Sequence, residues 1–327
     1  MKAVVVMQPG GLEQLQVAEM PAPEPGPGGV VIDVAYCGLN WADRMIRLGT
    51  YPHPFKYPVI PGLEVSGVVR SVGAGVTRVK PGDRVAGFHE KGGGYAEQCR
   101  VDQDWVIPVP DWMDFQTAAA FPVQALTAWH MLHTVGHLKP GQWVLIHAIG
   151  GGVGLNCTQL AVHAGAHVLG TVGTPGKQAL PLQYGAAQVL LNGSEDFVAA
   201  ALAHTGGRGV DLLIDSLGAA TLDRSFDAVR KLGHIISIGE AEGLPYQNIR
   251  ERLLPRSQTF TRLHVGHIDP KGQDWADGLA DVMAGLHGGW LNVPVQKVYR
   301  LDQAAEMHAH IESRQLSGKL LLEVLGG

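Results

Sequence analysis

The sequence predicts an α/β fold in which a doubly wound parallel sheet is inserted into a discontinuous, mainly β domain. Three observations predict it. Up to about residue 122, short β-branched runs alternate with Gly and Pro punctuation. From Val123 onward, strand-like runs alternate with helical stretches of about ten residues, the pattern of a parallel sheet covered on both faces. After His267 come a helix and a mixed tail too short to form a domain, so this segment is expected to fold back onto the first part. The expected division is 1–122 with 268–327, around an inserted 123–267.

The elements follow in order. Ala3–Met7 reads as a first strand and Pro21–Gly29 as a surface turn. Val30–Ala35, Leu63–Val72 and Arg84–Gly87 are β-branched strands. In the insert, strand Val144–Ala148 leads to helix Leu155–Ala164 and strand Val168–Val172. Helix Lys177–Tyr184 carries Pro181, and an interior proline costs about 3 kcal/mol, so this helix is expected to kink or end early. Strand Val189–Leu191, helix Glu195–His204, strand Leu212–Asp215, helix Ala220–Leu232 and strand His234–Ile238 follow. Phe260–Val265 is the expected last strand, and its apolar edge suggests a homodimer contact. Helix Trp275–Leu286 opens the tail.

Composition narrows the class. The chain has 327 residues, 46% of them hydrophobic and 17% charged, enough to bury a full core. The 44 glycines and 20 prolines show no repeat, which excludes collagen-like and solenoid architectures. A net charge of −5 gives no basic patch, so no nucleic-acid partner is expected. Cys37, Cys99 and Cys157 lie far apart without CxxC spacing, which fits a reducing compartment. Ala3–Met7 is too short for a signal peptide, and no apolar run reaches the roughly 18 residues of a membrane span. A cytoplasmic protein without membrane contact is the expectation.

Strand Val144–Ala148 runs into Ile149-Gly150-Gly151-Gly152-Val153-Gly154 and then a helix, the context a dinucleotide fingerprint requires. Gly151 lets the backbone approach a pyrophosphate and Gly154 permits close helix–strand packing; Gly152 and Val153 belong to the same turn, and the N-terminus of the following helix attracts phosphate. Ile149 replaces the first fingerprint glycine. An NAD site usually ends its second strand with a carboxylate for the ribose 2′-OH. Here Val172 stands at that point, followed by Gly173-Thr174-Pro175-Gly176-Lys177. Thr174 and Lys177 offer a hydroxyl and an ammonium to a 2′-phosphate, so NADPH is the expected cofactor.

An ordered set of motifs spans nearly the whole chain. It comprises Gly38-Leu39-Asn40-Trp41-Ala42-Asp43, Pro61-Gly62-Leu63-Glu64-Val65-Ser66-Gly67 and Val79-Lys80-Pro81-Gly82-Asp83-Arg84-Val85. Ala118–Phe121 with Leu126-Thr127-Ala128, His147–Gly154, Asp215-Ser216-Leu217-Gly218 and Ser317-Gly318-Lys319-Leu320-Leu321 complete it. With these the chain resembles the zinc-independent quinone oxidoreductases, the zeta-crystallin-like branch of the medium-chain dehydrogenase/reductase superfamily. The resemblance implies a Rossmann domain inserted in a GroES-like catalytic domain. In zinc-dependent members a cysteine stands where this chain has Asn40 and a histidine where it has Leu63, so no metal is expected. His130, His133 and His137, and the pair His163 and His167, are read as core or surface histidines.

The resemblance also implies roles. Asn40 and Tyr51 would line the nicotinamide end, Asn40 donating to a developing oxyanion and Tyr51 donating or relaying a proton. Thr127 would contact the carboxamide; Leu217, Gly239 and Glu240 would lie near the cofactor; Gly318 and Lys319 would return to the cleft. The family's frequent tyrosine beside the 2′-phosphate falls at Asn192, and a second catalytic tyrosine falls at Met45. Without a metal to polarise an alcohol, a conjugated acceptor makes the smaller demand, because the charge left by hydride addition appears on an oxygen that a few donors can stabilise. A small hydrophobic conjugated carbonyl or quinone is the expected substrate. Two rival readings stand beside it. One is an enoyl-thioester reductase for a CoA or carrier-bound substrate, with Arg44 and Arg47 at the cleft mouth. The other is a non-catalytic NADPH-binding protein.

Overall fold

The computed structural model describes residues 1–244 and 246–325. The chain folds as two compact units, Met1–Val123 with Val293–Gly327, and Gln124–Asn292.

The first unit is built on a seven-stranded mixed sheet. Its order is Val295–Arg300, Lys319–Glu323, Gly29–Gly38, Glu64–Val72, Arg84–Phe88 and Val106–Pro108, with Gln98–Asp102 also pairing Gly29–Gly38. The first two strands run parallel and the other pairings are antiparallel. Gly29–Gly38 is the centre. Val30, Val31, Ile32 and Val34 are all fully buried, because strands or helices cover both of its faces. Each such side chain removed from water stabilises the fold by roughly 1.5–3 kcal/mol. Leu320 and Leu322 join the same core from the C-terminal strand, so the returning tail is an integral part of this unit.

The second unit holds a six-stranded, all-parallel sheet. In space its strands run Gln188–Leu191, His167–Val172, Trp143–Ile146, Val210–Asp215, Val229–Ser237 and Thr259–Arg262, the third, second, first, fourth, fifth and sixth in chain order. This is the doubly wound Rossmann order, whose reversal point lies beside the first strand. His147 crosses beneath that point, its two ring nitrogens bridging the hydroxyls of Thr171 (2.8 Å) and Ser225 (2.9 Å).

Some boundaries differ from the expectation. The units divide after Asn292, not after His267. Helix Gln273–Gly288 groups with the nucleotide unit, because Gly278 lies against the Trp129 ring, Asp281 accepts the Trp129 indole N–H at 2.9 Å, and Gln159 binds the backbone of Asn292. Only Ala179–Gln183 of the proline-bearing segment is helical. Pro181 is its third residue, where a helix N–H has no intrahelical partner to lose. Helix Ala219–Ala228 stops four residues early, since Val229 already pairs with Val210 in the sheet and Arg230 reaches Asp211. Strand Thr259–Arg262 is followed by a short 3-10 turn at Val265–His267. Helix Pro122–His130 gives way to a π turn at Met131–Val135, and His137 adopts φ 47°, so the three histidines there share no regular helix face.

Candidate functional site

In the nucleotide unit the glycine turn lies where the sequence puts it. Helix Gly152–His163 starts directly after it, with Gly151 as the extended N-cap residue. The first-turn N–H groups of a helix have no partner within it and carry its positive dipole end. Each glycine does a separate job. A Cβ on Gly154 would strike Ile149 Cα at 2.6 Å and the Ala148 oxygen at 2.7 Å, so Gly154 is what lets the helix sit on the strand. A Cβ on Gly151 would meet only the Ala148 oxygen, at 3.3 Å, which leaves this stretch of backbone open to an approaching group. Gly152 carries the Gln124 side chain against its bare Cα.

The end of the second strand has the expected chemistry. Val172 is buried and no carboxylate follows it before Lys177. The Lys177 side chain folds back over the glycine turn, its Cβ and Cε within 3.2–3.3 Å of where a Gly150 Cβ would lie. Burial holds its ammonium below the ordinary lysine value. The built Cβ positions of Gly173, Gly176 and Gly193 meet nothing within 4 Å, so the loops around Thr174 are open. Asn192 closes this edge, its N–H on the Val172 carbonyl at 2.8 Å and its amide donating to Thr221 at 3.3 Å.

Asp215 organises the loops after the fourth strand. Its buried carboxylate accepts the N–H groups of Leu217 and Gly218 at 3.1 Å and the Ser237 hydroxyl at 3.1 Å. That fixes Leu217, whose carbonyl accepts the Glu242 N–H at 2.9 Å. Glu240 pairs with Arg262 at 2.8 Å, beside Gly239. Thr127 is buried on helix Pro122–His130.

In the first unit a second polar cluster surrounds Asn40, just before helix Trp41–Leu48. The buried Asp43 carboxylate accepts the backbone N–H of Asn40 and of Gly62, both at 2.8 Å. Burial lifts the Asp43 pKa to about 7 against the lowering effect of those two bonds. The Asn40 amide donates to Glu64 Oε1 at 2.8 Å and its oxygen accepts from Lys319 Nζ at 2.9 Å. Lys319 also pairs directly with Glu64, and both are buried. The other Glu64 oxygen accepts the Val123 N–H at 2.7 Å. Gly318 supports the approach at φ 102°, where a Cβ would lie 2.2 Å from the Pro294 oxygen. Tyr51 sits in a tilted aromatic group with His53 and Phe55, and burial, then the nearby Asp43 and Glu90, pushes its phenol up to about 12.

Sequence reasoning singled out Lys319 as a cofactor contact; in the fold its ammonium is committed to Asn40 and Glu64. Glu64 itself was noted only as part of a motif, although a carboxylate between Leu63 and Val65 at the start of a strand is a signal for a buried partner. Arg47 is buried and, like Arg44, pairs with Glu312, so neither stands as an unengaged cation.

Comparison with known proteins agrees with this architecture. Residues 26–111 match the alcohol dehydrogenase GroES-like domain and residues 152–284 the zinc-binding dehydrogenase domain. A probable quinone oxidoreductase of Schizosaccharomyces pombe is 34% identical over 98% of this chain and 96% of its own. A 2-haloacrylate reductase of a Burkholderia species is 31% identical over 98% of both. The crystal structure of Escherichia coli quinone oxidoreductase complexed with NADPH superposes with a TM-score of 0.93 at 32% identity, covering 99% of this chain and 100% of that one. With the doubly wound sheet, the split β unit and full-length similarity in agreement, the chain belongs to the quinone oxidoreductase branch of the medium-chain dehydrogenase/reductase superfamily.

Proposed function

We propose that this protein is an NADPH-dependent, zinc-free reductase acting on a quinone or an α,β-unsaturated carbonyl. The observation that carries the reading is the nucleotide unit's phosphate-ready turn, with Lys177 folded beside it and no carboxylate at the end of the second strand. When bound, the nicotinamide supplies the hydride. Gly151, Gly152, Val153 and Gly154 would hold the pyrophosphate. Gly173, Thr174, Lys177 and Asn192 would hold the 2′-phosphate, which a second-strand carboxylate would repel. Thr127, Leu217, Gly239 and Glu240 would border the rest of the cofactor, as the family resemblance implies. The E. coli relative's NADPH complex supports the same cofactor here.

The zinc-free part rests on side-chain chemistry. Asn40 and Leu63 stand at two positions where zinc-dependent relatives carry ligands, and Leu63 is buried apolar surface. The Lys319 ammonium pairs with Glu64, so a cation is already built in beside Asn40. Asn40 would then donate to the oxygen on which charge develops. Tyr51, a phenol protonated at neutral pH, would donate or relay a proton, as the family resemblance implies. The names quinone oxidoreductase and 2-haloacrylate reductase both describe reductions of conjugated acceptors.

Arg44 and Arg47, the cations named for the thioester alternative, share the single Glu312 carboxylate. Strand Thr259–Arg262 forms one edge of the parallel sheet, which supports a homodimer joined there. Among the described residues no helix is long and apolar enough to cross a membrane.

The test is direct. Purified protein is mixed with NADPH and a panel of naphthoquinones, alkenals and a haloacrylate, and nicotinamide absorbance is followed. Turnover of at least one class is expected. NADPH oxidation with none of them, or activity that depends on added zinc, would refute the reading.

A further inference from the structure

We propose that Lys319 and Glu64 are positioning residues that lock the Asn40 carboxamide in one orientation, with its oxygen turned to lysine and its nitrogen to glutamate. The proposal rests on the reading that Asn40 donates to the substrate oxygen, and explains how the donor is held.

The chemistry of the two partners dictates the orientation. An ammonium has three donors and no acceptor, and a carboxylate paired with it only accepts. Asn40 lies between them, Oδ1 at 2.9 Å from Lys319 Nζ and Nδ2 at 2.8 Å from Glu64 Oε1. Flipping the amide would set N–H against N–H on one side and oxygen against oxygen on the other. Both bonds are charge-assisted and about twice as strong as neutral ones, so the flipped state is strongly disfavoured. Water cannot substitute, because Lys319 is 1% exposed and Glu64 is fully buried.

Stability gives no sufficient reason for this pair. A buried ion pair is often no better than apolar side chains of the same volume. Yet the surrounding backbone is arranged around it. The Leu39 N–H binds the Leu320 carbonyl at 3.0 Å, and Gly38 pairs with Leu321, which sets the lysine strand beside the asparagine. Gly38 leaves the room the pair needs, since a Cβ there would lie 2.7 Å from Lys319 Cε and 2.9 Å from Glu64 Cγ. Val123 N–H fixes the second glutamate oxygen and Asp43 fixes the Asn40 backbone, so every joint of the cluster is held.

The test uses the double variant Glu64→Gln/Lys319→Met. It is uncharged and nearly isosteric, and with the Val123 N–H holding the glutamine oxygen, the glutamine nitrogen faces Asn40 and no longer accepts its N–H, so the lock is undone without leaving a lone buried charge. The expected result is a folded protein with unchanged KM for NADPH and kcat lowered at least about tenfold, a part of the roughly 10²–10³ that loss of one oxyanion donor costs. Adding Asn40→Ala should cost little more, because residues acting as a unit are not additive. In the full-length protein the Asn40 side-chain amide signals, assigned by their loss in Asn40→Ala, should shift and broaden in the double variant. Wild-type kcat, or wild-type Asn40 amide signals, in the double variant would overturn the proposal. If the wild type reduces no conjugated acceptor, the functional reading falls, and the amide signals alone decide the positioning. Should the double variant not fold, Glu64→Gln alone gives the same readouts, since the Val123 N–H holds the glutamine oxygen and turns its nitrogen towards Asn40 Nδ2.

Discussion

Ile149 rests on the bare backbone of Gly170. A Cβ at position 170 would lie 2.4 Å from Ile149 Cδ1 and 2.7 Å from its Cβ. Ile149 is fully buried there, and its N–H binds the Thr171 carbonyl at 3.0 Å. The departure from the dinucleotide fingerprint is thus matched on the adjacent strand: the missing glycine of the turn reappears as a glycine of the second strand. Gly170→Ala should cost about 1–3 kcal/mol by overpacking. Ile149→Gly should cost more, a cavity of about 2–5 kcal/mol plus about 1 kcal/mol of backbone entropy. The double variant should be at least about 1 kcal/mol more stable than the sum predicts, as contacting sites couple. Denaturant unfolding of the four proteins checks it; strict additivity would mean that the two residues do not share this space.

Gly151 and Gly154 should separate binding from folding. Gly154→Ala drives a methyl into backbone atoms that cannot move aside, and should lower stability by about 1–3 kcal/mol. Gly151→Ala needs the Ala148 carbonyl to yield by a few tenths of an ångström, and should stay within about 1 kcal/mol of the wild type. Its methyl would instead stand where a pyrophosphate approaches, raising the Kd for NADPH and NADH alike. Unfolding curves and cofactor titrations on both variants test the division. A Gly151→Ala protein that binds NADPH normally would move the pyrophosphate elsewhere.

How much of this was legible in sequence depends on range. The strand–turn–helix around Gly151 was readable because apolar runs and glycines mark it locally. The end of helix Ala219–Ala228 was not. Residues 229–232 suit either state, and pairing of Val229 with Val210 decides it. Helix Gln273–Gly288 was recognised as a helix but assigned to the other unit. Its partner Trp129 lies far back in the chain, as does Gln159, which binds Asn292 beyond the helix end, and nothing near Gly278 announces them. Lys319 was seen in its motif, but its role depends on strand Lys319–Glu323 pairing with Gly29–Gly38, a contact between opposite ends of the chain.

Lys177→Ala should discriminate between cofactors. The Lys177 side chain lies over Gly150 with its ammonium partly buried, so a 2′-phosphate would gain a charge-assisted bond of about 1.5–3 kcal/mol. Removing it should raise the Kd for NADPH by at least about tenfold more than that for NADH. Equal weakening of both by fluorescence titration would remove the 2′-phosphate assignment.

His147 should make the nucleotide unit sensitive to acid. Burial pushes its pKa from 6.5 down to about 3. The folded form therefore holds fewer protons than the unfolded form between those values, and stability falls as pH drops through the window. The stabilisation is fully present above 6.5. At its steepest a single group contributes about 1.4 kcal/mol per pH unit. In His147→Gln the slope of unfolding free energy between pH 6 and pH 4 should be shallower than in the wild type. An unchanged slope would show that acid lability comes from other buried groups, such as His130 and His308.

Asp43 should act in the opposite sense on the first unit. Its pKa is raised from 3.8 to about 7, because burial outweighs the two backbone N–H bonds and the charge of Lys319. Between those values the folded form binds the extra proton, so the contribution of Asp43 is complete below pH 3.8 and is lost as pH rises towards 7. Ionised Asp43 binds Asn40 and Gly62 N–H groups more strongly, yet its charge is buried while the nearby cation, Lys319, is paired with Glu64. Asp43→Asn cannot titrate. The difference in unfolding free energy, wild type minus variant, should therefore shrink by a few kcal/mol at most from pH 4 to pH 7 and then level off. The direction is diagnostic. A carboxylate stabilised mainly by its N–H bonds would have a lowered pKa, and the difference would grow with pH instead. Urea unfolding of both proteins at pH 4.5, 6 and 7.5 distinguishes the two, and a growing difference would mean that the backbone N–H bonds, not burial, dominate the site that carries Asn40.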